Sequence, residues 1–460
     1  MNGHEHGGQD QGLNEALRYP LFNAIFHRRS RRISRGIRSV PAGSLSYTST
    51  HDPQPLTPLE EALLIATTGV TGVTLPDMPF QTEEGKPLVG SPMVAIRGRS
   101  ASSPDNAQAT HFFLINDSGT YFLRQPKNVD PFTLSGGKLD ADRLIAYAEA
   151  CKVKVLDHRL DFARRQFPVY VGRNRYVSNV PGSTVLVPVI DMTQQYVNGI
   201  MFLLTQDDGH RPSFIDDWNL YRSAGVKKWV RSGFLNKKLK LPLGYLGTFR
   251  IHIEADLLLQ NLMLAIQAMG LGGWVHAAFA GPYLLGAPES VSEYGPGLGF
   301  RYEKPKRRLR RMIKAFWPMP CWSDNPVGLD GVLETHTPPY YKDMNAAIDA
   351  IVAHKYGPEG LYKNAANFDP VFKPGLAARF VEEVPHYRED VIAVAKDVCN
   401  YIWDTYGRFP AHVDAVYVPG VWVQAHHLDL DYYDQLYKDG YTATQAEHQR
   451  LWHGHNGDRP

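Results

Sequence analysis

Ser103-Pro104-Asp105-Asn106-Ala107-Gln108 runs through Ala109-Thr110-His111 into Phe112-Phe113-Leu114-Ile115-Asn116. The first part is a polar turn; the second is an apolar run of strand length. Asp117-Ser118-Gly119 is a strong hairpin signal, and Thr120-Tyr121-Phe122-Leu123 resumes the apolar pattern. Two strands, His111–Asn116 and Thr120–Leu123, are therefore predicted as a hairpin. In the Ser-x-x-Asn-x-Gln turn, the amides of Asn106 and Gln108 can each donate and accept, which suits them to the edge of a heterocycle.

About seventy residues upstream, Arg28-Arg29-Ser30-Arg31-Arg32 sets a hydroxyl among cations, a pattern suited to a phosphorylated ligand. With the turn, it points to a nucleotide-like cofactor. Residues 13–35 read as one amphipathic helix, apolar at Leu17, Leu21, Ile25 and Phe26, that delivers the cluster at its C-terminal end. Cations favour the dipole there without any ligand, so a solvated charge cluster is the competing reading. The start, Met1 to Gly12, lacks the apolar core of a signal peptide and reads as flexible tail, extending to residue 14.

Thr57-Pro58-Leu59-Glu60-Glu61 combines an N-cap, a proline at the first helical position and an acidic first turn, so a helix is predicted from Pro58 to about Thr68. Asp140 to Phe167 is helical by period, and Thr184 to Ile190 reads as a buried strand. Leu257 to Gly286 contains no Lys, Arg, Asp or Glu, but its helical part ends at Gly270-Leu271-Gly272-Gly273. Roughly fourteen residues at about 1.5 Å each are too short for a hydrocarbon core of about 30 Å. A buried helix is expected instead. Leu257, Leu258, Leu259, Leu262, Met263, Leu264, Ile266 and Met269 surround its circumference, so it must be enclosed by its own domain, a second subunit, or both. Helices are also expected near 343 to 356 and 387 to 406. The alternation of helices and strands implies an α+β or mixed α/β core with long insertions.

The 460 residues are 43% hydrophobic and 21% charged, an ordinary globular composition with length for one large core or for two or three domains. A formal net charge of +2 gives no electrostatic case for nucleic acid. Cys151, Cys321 and Cys399 are widely spaced, form no C-x-x-C pair and fit a cytoplasmic setting. No nucleophile elbow, zincin helix or phosphate loop is present, and Gly295-Pro296-Gly297-Leu298-Gly299 reads as a loop.

Three elements in this order, Arg28/Ser30/Arg32, Ser103/Asn106/Gln108 and the uncharged stretch Gln260 to Gly272 ending Met269-Gly270-Leu271-Gly272, resemble the flavin-binding signatures of the nitroreductase superfamily. The resemblance covers roughly residues 15 to 290. Where the family's first motif usually continues to phenylalanine this chain has Ser34, and where the second continues Pro-Trp it has Ala109-Thr110, which marks a distant branch. The resemblance implies an α+β fold, a nitroreductase-like three-layer α/β/α sandwich, with a flavin-binding domain over 15–320 and a mainly helical C-terminal extension over 321–460. It implies an FMN-dependent oxidoreductase acting on a small organic substrate, with NAD(P)H as a plausible donor or oxygen as acceptor. A homodimer with the flavin near the subunit interface is expected, with neither nucleic acid nor membrane as partner.

On this reading Arg28, Arg29, Ser30 and Arg32 hold the phosphate, Ser103, Asn106 and Gln108 meet the flavin or its ribityl chain, and Gly270, Leu271 and Gly272 complete the site. Arg97 and Arg99 are candidates for the isoalloxazine edge; no catalytic side chain is assigned. The basic run from Lys304 to Lys314 could cover the phosphate, but Leu309, Met312, Ile313 and Phe316 have the spacing of an ordinary amphipathic helix. The competing classes are a non-catalytic scaffold with a degenerate flavin site and a metal-dependent enzyme centred on His426, His427, Asp429 and Asp431. Adjacent histidines point about 100° apart in a helix and to opposite faces in a strand, so no metal is assigned.

Overall fold

The switch from polar turn to apolar run makes a strand. In the computed structural model, which describes residues 6–41, 43–125, 139–163, 174–246, 250–277, 281–288, 295–305 and 323–454, Thr110–Asn116 (β1) and Gly119–Leu123 (β2) pair antiparallel, Asn116 opposite Gly119. Gly119 has φ +151, and a Cβ there would stand 2.7 Å from the Leu156 carbonyl oxygen, so this turn requires glycine.

Lys152–Leu156 (β3) pairs with β2, and Thr184–Asp191 (β4) pairs with β1 on its other side. Gly272–His276 (β5), Val416–Tyr417 (β6) and Trp422–His426 (β7) complete the sheet. Its order is β5-β7-β4-β1-β2-β3, with β6 also on β4, and every pairing is antiparallel. β4 is buried on both faces, as its Val- and Leu-rich sequence predicts. Val185, Val187 and Val189 join Phe113 and Ile115 in one core, while Leu186 joins Phe112 and Leu114 in another. That split is the period of two made physical.

The helices that position the site are His6–Arg18 (α1), Leu21–His27 (α2), Pro58–Thr67 (α3), Ala141–Cys151 (α4), Thr193–Leu204 (α5), Ile253–Met269 (α6), Met344–Tyr356 (α7), Glu389–Tyr406 (α8) and His448–His453 (α9). α3, α4 and α6 bury Leu59, Leu144 and Leu262 against the Leu186 face. Among the described residues, the opposite face is covered chiefly by loops and short helices, through residues such as Ile37, Leu284, Phe300 and Tyr433. A separate core unites α5, α7 and α8 through Ile200, Ile348 and Val394. Mixed helix and sheet in one chain is the expected α+β class. Among the described residues, no helix is long and apolar enough to cross a membrane.

Several boundaries differ from expectation, each for a local reason. The single helix over 13–35 is two, because Pro20 stands in extended backbone at the start of α2 and Arg28, with ψ 127, leaves it. The tail over 1–14 is helical from His6: Leu13 is buried, and Gly12 lies so close to Trp452 of α9 that a Cβ would come within 2.5 Å of the ring. The helix over Asp140–Phe167 stops at Cys151, where Lys152-Val153-Lys154-Val155-Leu156 alternates and β2 offers a free edge. Its end, from residue 164, lies outside the described residues. Finally, 321–460 is not simply appended: β7 sits between β5 and β4, so the main sheet takes a central strand from beyond the expected boundary.

Candidate functional site

The turn that opens β1 is held under strain. Asp105, Asn106 and Gln108 have φ of 51, 48 and 53, left-handed values that non-glycine residues seldom adopt and that cluster at functional sites. Side chains over-determine the conformation. Asn106 Nδ2 donates to the Ala95 carbonyl at 2.6 Å, Gln108 Nε2 donates to Asn106 Oδ1 at 2.6 Å, and the Gln108 amide donates to Ser103 Oγ at 3.1 Å. Ser103 in turn donates to Glu254 near the start of α6, whose other carboxylate oxygen accepts from Thr110 N and Oγ1, each at 3.1 Å. Gln195 of α5 ties in Asp105 at 2.7 Å.

This turn borders two cavities. One, of about 620 Å³, is lined by Arg97, Arg99, Gln108, His111, Asp191 and Gln195, among others. The other, of about 600 Å³, takes in Arg99, Ser103, Asn106 and Gln108 with the apolar Phe80 and Phe380. Polar groups converging beside apolar walls are what a planar heterocycle requires. The charges are perturbed. Burial, then the neighbouring Arg99 charge, pushes His111 down to about 3, so it is a neutral imidazole. Burial pushes Asp191 up to about 6 despite hydrogen bonds from Thr193. Arg99, also lowered by burial, donates to the Thr68 carbonyl at 2.9 Å and to the Thr110 carbonyl. Behind the turn, buried Lys355 reaches Ser91 O, Asn198 Oδ1 and Tyr387 Oη at 2.8, 2.8 and 3.0 Å, and burial pushes it down to about 7.

The first motif lies elsewhere. Arg29, Ser30 and Arg32 are exposed and Arg28 half-buried, with the Arg32 guanidinium 5.3 Å from the centre of the Trp274 ring. Arg31, the position the motif skips, is buried and donates to Gly440 O at 2.7 Å and to Gln267 Oε1 at 3.4 Å. Next to it lie buried polar atoms without a hydrogen-bond partner among the described residues: Ser34 Oγ, Trp274 Nε1, Trp422 Nε1 and His426 Nε2. Gly270, Leu271 and Gly272 carry the chain from α6 into β5. Gly270 takes the left-handed φ of 78 as the C-cap, and Gly272 packs against Leu428 and His426.

The structure therefore assembles the third motif with the first and separates both from the second. Glu254 holds the second motif at one end of α6 and Gln267 holds Arg31 at the other, and thirteen residues at about 1.5 Å set them roughly 20 Å apart. Of the basic run, Lys304 is exposed and the rest lies outside the described residues, as does Cys321; Cys151 and Cys399 are buried. The His426–Asp431 constellation divides. His426 faces the core beside Gln424, Asp429 accepts from Tyr47 at 2.7 Å, Asp431 meets His51 at 3.1 Å, and His427 turns to Glu60. Sequence reading passed over His111, Asp191, Gln195 and Glu359 as cavity residues. His111 alone carried a signal, as a polar residue at the mouth of an apolar strand.

No protein-family model matches the chain, and no curated protein matches it. Among solved structures, it is similar to the crystal structure of a candidate nitroreductase from Ralstonia eutropha, with 16% identity and a TM-score of 0.23 over 56% of this chain and 70% of that one. The likeness is distant and carries no argument about the site.

Proposed function

We propose that the protein is an FMN-dependent oxidoreductase acting on a small organic substrate, working as a homodimer. The observation that carries this reading is the strained Ser103–Gln108 turn on the border of two cavities that Arg97, Arg99 and Gln108 help to line. The residues present fit a flavin: amide and guanidinium groups for a heterocycle at one end of α6, and a second cationic segment at the other. Arg97, Arg99 and Gln108 would meet the ring system beside the turn that Asn106 holds, and Arg28, Ser30 and Arg32 would hold the phosphate. When bound, the flavin supplies the redox chemistry; the chain binds, orients and shields it.

The separation of the motifs supports the dimer. Leu21, Phe22, Ile25 and Phe26 of α2 are 60, 67, 42 and 65% exposed, and α6, against which α2 packs, shows Ile253 and Leu257 to solvent. Exposed apolar side chains on these two helices would give a second copy a surface to dock on. A two-fold axis crossing α6 at right angles runs the two helices antiparallel, which sets the Arg28–Arg32 end of one copy toward the Ser103–Gln108 end of the other.

The test is spectroscopic. Purified protein is expected to be yellow, or as apoprotein to bind FMN in a fluorescence titration, and the bound flavin to be bleached anaerobically by NAD(P)H or by substrate. Protein that neither retains nor takes up FMN overturns the reading and leaves a non-catalytic scaffold.

A further inference from the structure

Glu60, His427, His448 and His453 converge on one point at the edge of the core. The Nε2 atoms of the three histidines stand 3.1, 2.8 and 3.3 Å from Glu60 Oε1. Glu60 and His427 are fully enclosed, His448 is nearly so, and the His453 side chain is 12% exposed. Their ring centres are 5.0 to 5.7 Å apart.

Hydrogen bonding alone does not account for this arrangement. His427 Nδ1 lies 2.9 Å from the Gln54 carbonyl and His448 Nδ1 lies 2.8 Å from the Met269 carbonyl. Carbonyl oxygens only accept, so both Nδ1 atoms carry hydrogen. In the neutral ring Nε2 is then a bare lone pair, aimed at a carboxylate oxygen that also has only lone pairs to offer. Nε2 of His448 and of His453 make no hydrogen bond among the described residues, although each lies within 3.3 Å of Glu60 Oε1. Protonating the rings instead would bury several imidazolium ions side by side around a single carboxylate, at heavy cost.

We propose that these four side chains bind a divalent first-row transition metal, zinc by geometry, through three imidazole Nε2 atoms and Glu60 Oε1. A tetrahedral ion with bonds of about 2.0–2.2 Å keeps its ligand atoms about 3.3 Å apart, close to the three separations from Glu60 Oε1, and all four ligand atoms lie within 4.8 Å of one another. The two backbone carbonyls are the outer partners that fix the Nδ1–H tautomer of a ligating histidine. Glu60 is itself fixed, because its other oxygen accepts from the Thr57 amide at 2.6 Å in the capping box of α3. Four protein donors close the site, which makes it structural and not catalytic. It joins the start of α3, the end of β7 and the C-terminal helix α9.

Tag-free full-length protein, dialysed and analysed by plasma mass spectrometry, should carry one equivalent of zinc or another first-row divalent metal per chain. Cobalt exchanged into the chelator-treated protein should give the intense visible bands of a tetrahedral ion. His453→Ala, which alters the most exposed ligand, should weaken metal affinity in chelator competition by more than about 100-fold, beyond the usual effect of losing an outer partner. The proposal is overturned by metal-free protein that gives no cobalt spectrum, or by a folded His453→Ala variant that holds metal as tightly as the wild type. Should that variant not fold, the wild-type metal content and cobalt spectrum decide the matter alone.

Discussion

Replacing Asp191 by Asn isolates the electrostatics of the larger cavity. Burial raises this carboxyl from 3.8 to about 6, although Thr193 donates to it from N at 2.8 Å and Oγ1 at 2.7 Å. Between those two pH values the folded chain keeps a proton that the unfolded chain has released, so stability falls as pH rises. The contribution is fully present below about pH 4 and lost as pH passes through about 6. Two units at about 1.36 kcal/mol each make roughly 3 kcal/mol. With an unfolding entropy of about 2.1 cal/mol/K per residue, a chain of 460 residues changes by about 1 kcal/mol per degree, so the effect is about 3 °C in Tm. Asparagine keeps an acceptor for both Thr193 donors but cannot ionise. Melting curves at pH 4 and pH 8 should show the variant equal to wild type at the lower pH and more stable by up to about 3 °C at the higher. An identical difference at both pH values would refute the argument.

Other outcomes follow from the same geometry. Arg28→Ala or Arg32→Ala should weaken FMN binding roughly 10- to 100-fold, the worth of a charge-assisted partner of about 1.5–3 kcal/mol, read by titration of apoprotein. Phe22→Glu with Phe26→Glu should turn a dimer into a monomer in light scattering; a wild-type monomer at micromolar concentration would remove the interface. Gly270→Ala should cost more than about 1 kcal/mol in denaturant melts, since φ is 78 and the added Cβ would lie 2.5 Å from the Thr444 carbonyl oxygen.

Elements with a strong local signal were legible. The Asp117-Ser118-Gly119 turn gave the β1–β2 hairpin, Val-rich β4 read as buried on both faces, and Thr57 with Pro58 marked the start of α3. Elements decided by distant partners were not. Lys152–Leu156 alternates over only five residues, too short a signal to break the longer helical reading of 140–167, and pairing with β2 settles it as a strand. β7 has no meaning as a central strand until β4 and β5 stand on either side of it. The uncharged helix divides the same way: Leu258, Leu262 and Ile266 are buried as its composition demands, yet Leu257 is 37% exposed.

The candidate site shows the limit of local reading more sharply. The second motif was legible as a polar turn, but Asn106 spends its amide on Ala95 and Gln108, so its immediate role is to hold strained backbone at the cavity wall. The His426-His427 pair was set aside because neighbours on a strand face opposite ways, and they do: His426 turns inward and His427 turns toward α3. That argument is correct about the pair and silent about the half that matters. His427 finds its companions at positions 60, 448 and 453, which no spacing rule connects, because chain folding alone brings the start of α3 and the helix α9 to the end of β7. Glu60 was visible only as an acidic residue in a helix's first turn. One of its oxygens caps that turn, and this fixes the other on the three histidines, so the residue that starts the helix also orders the cluster.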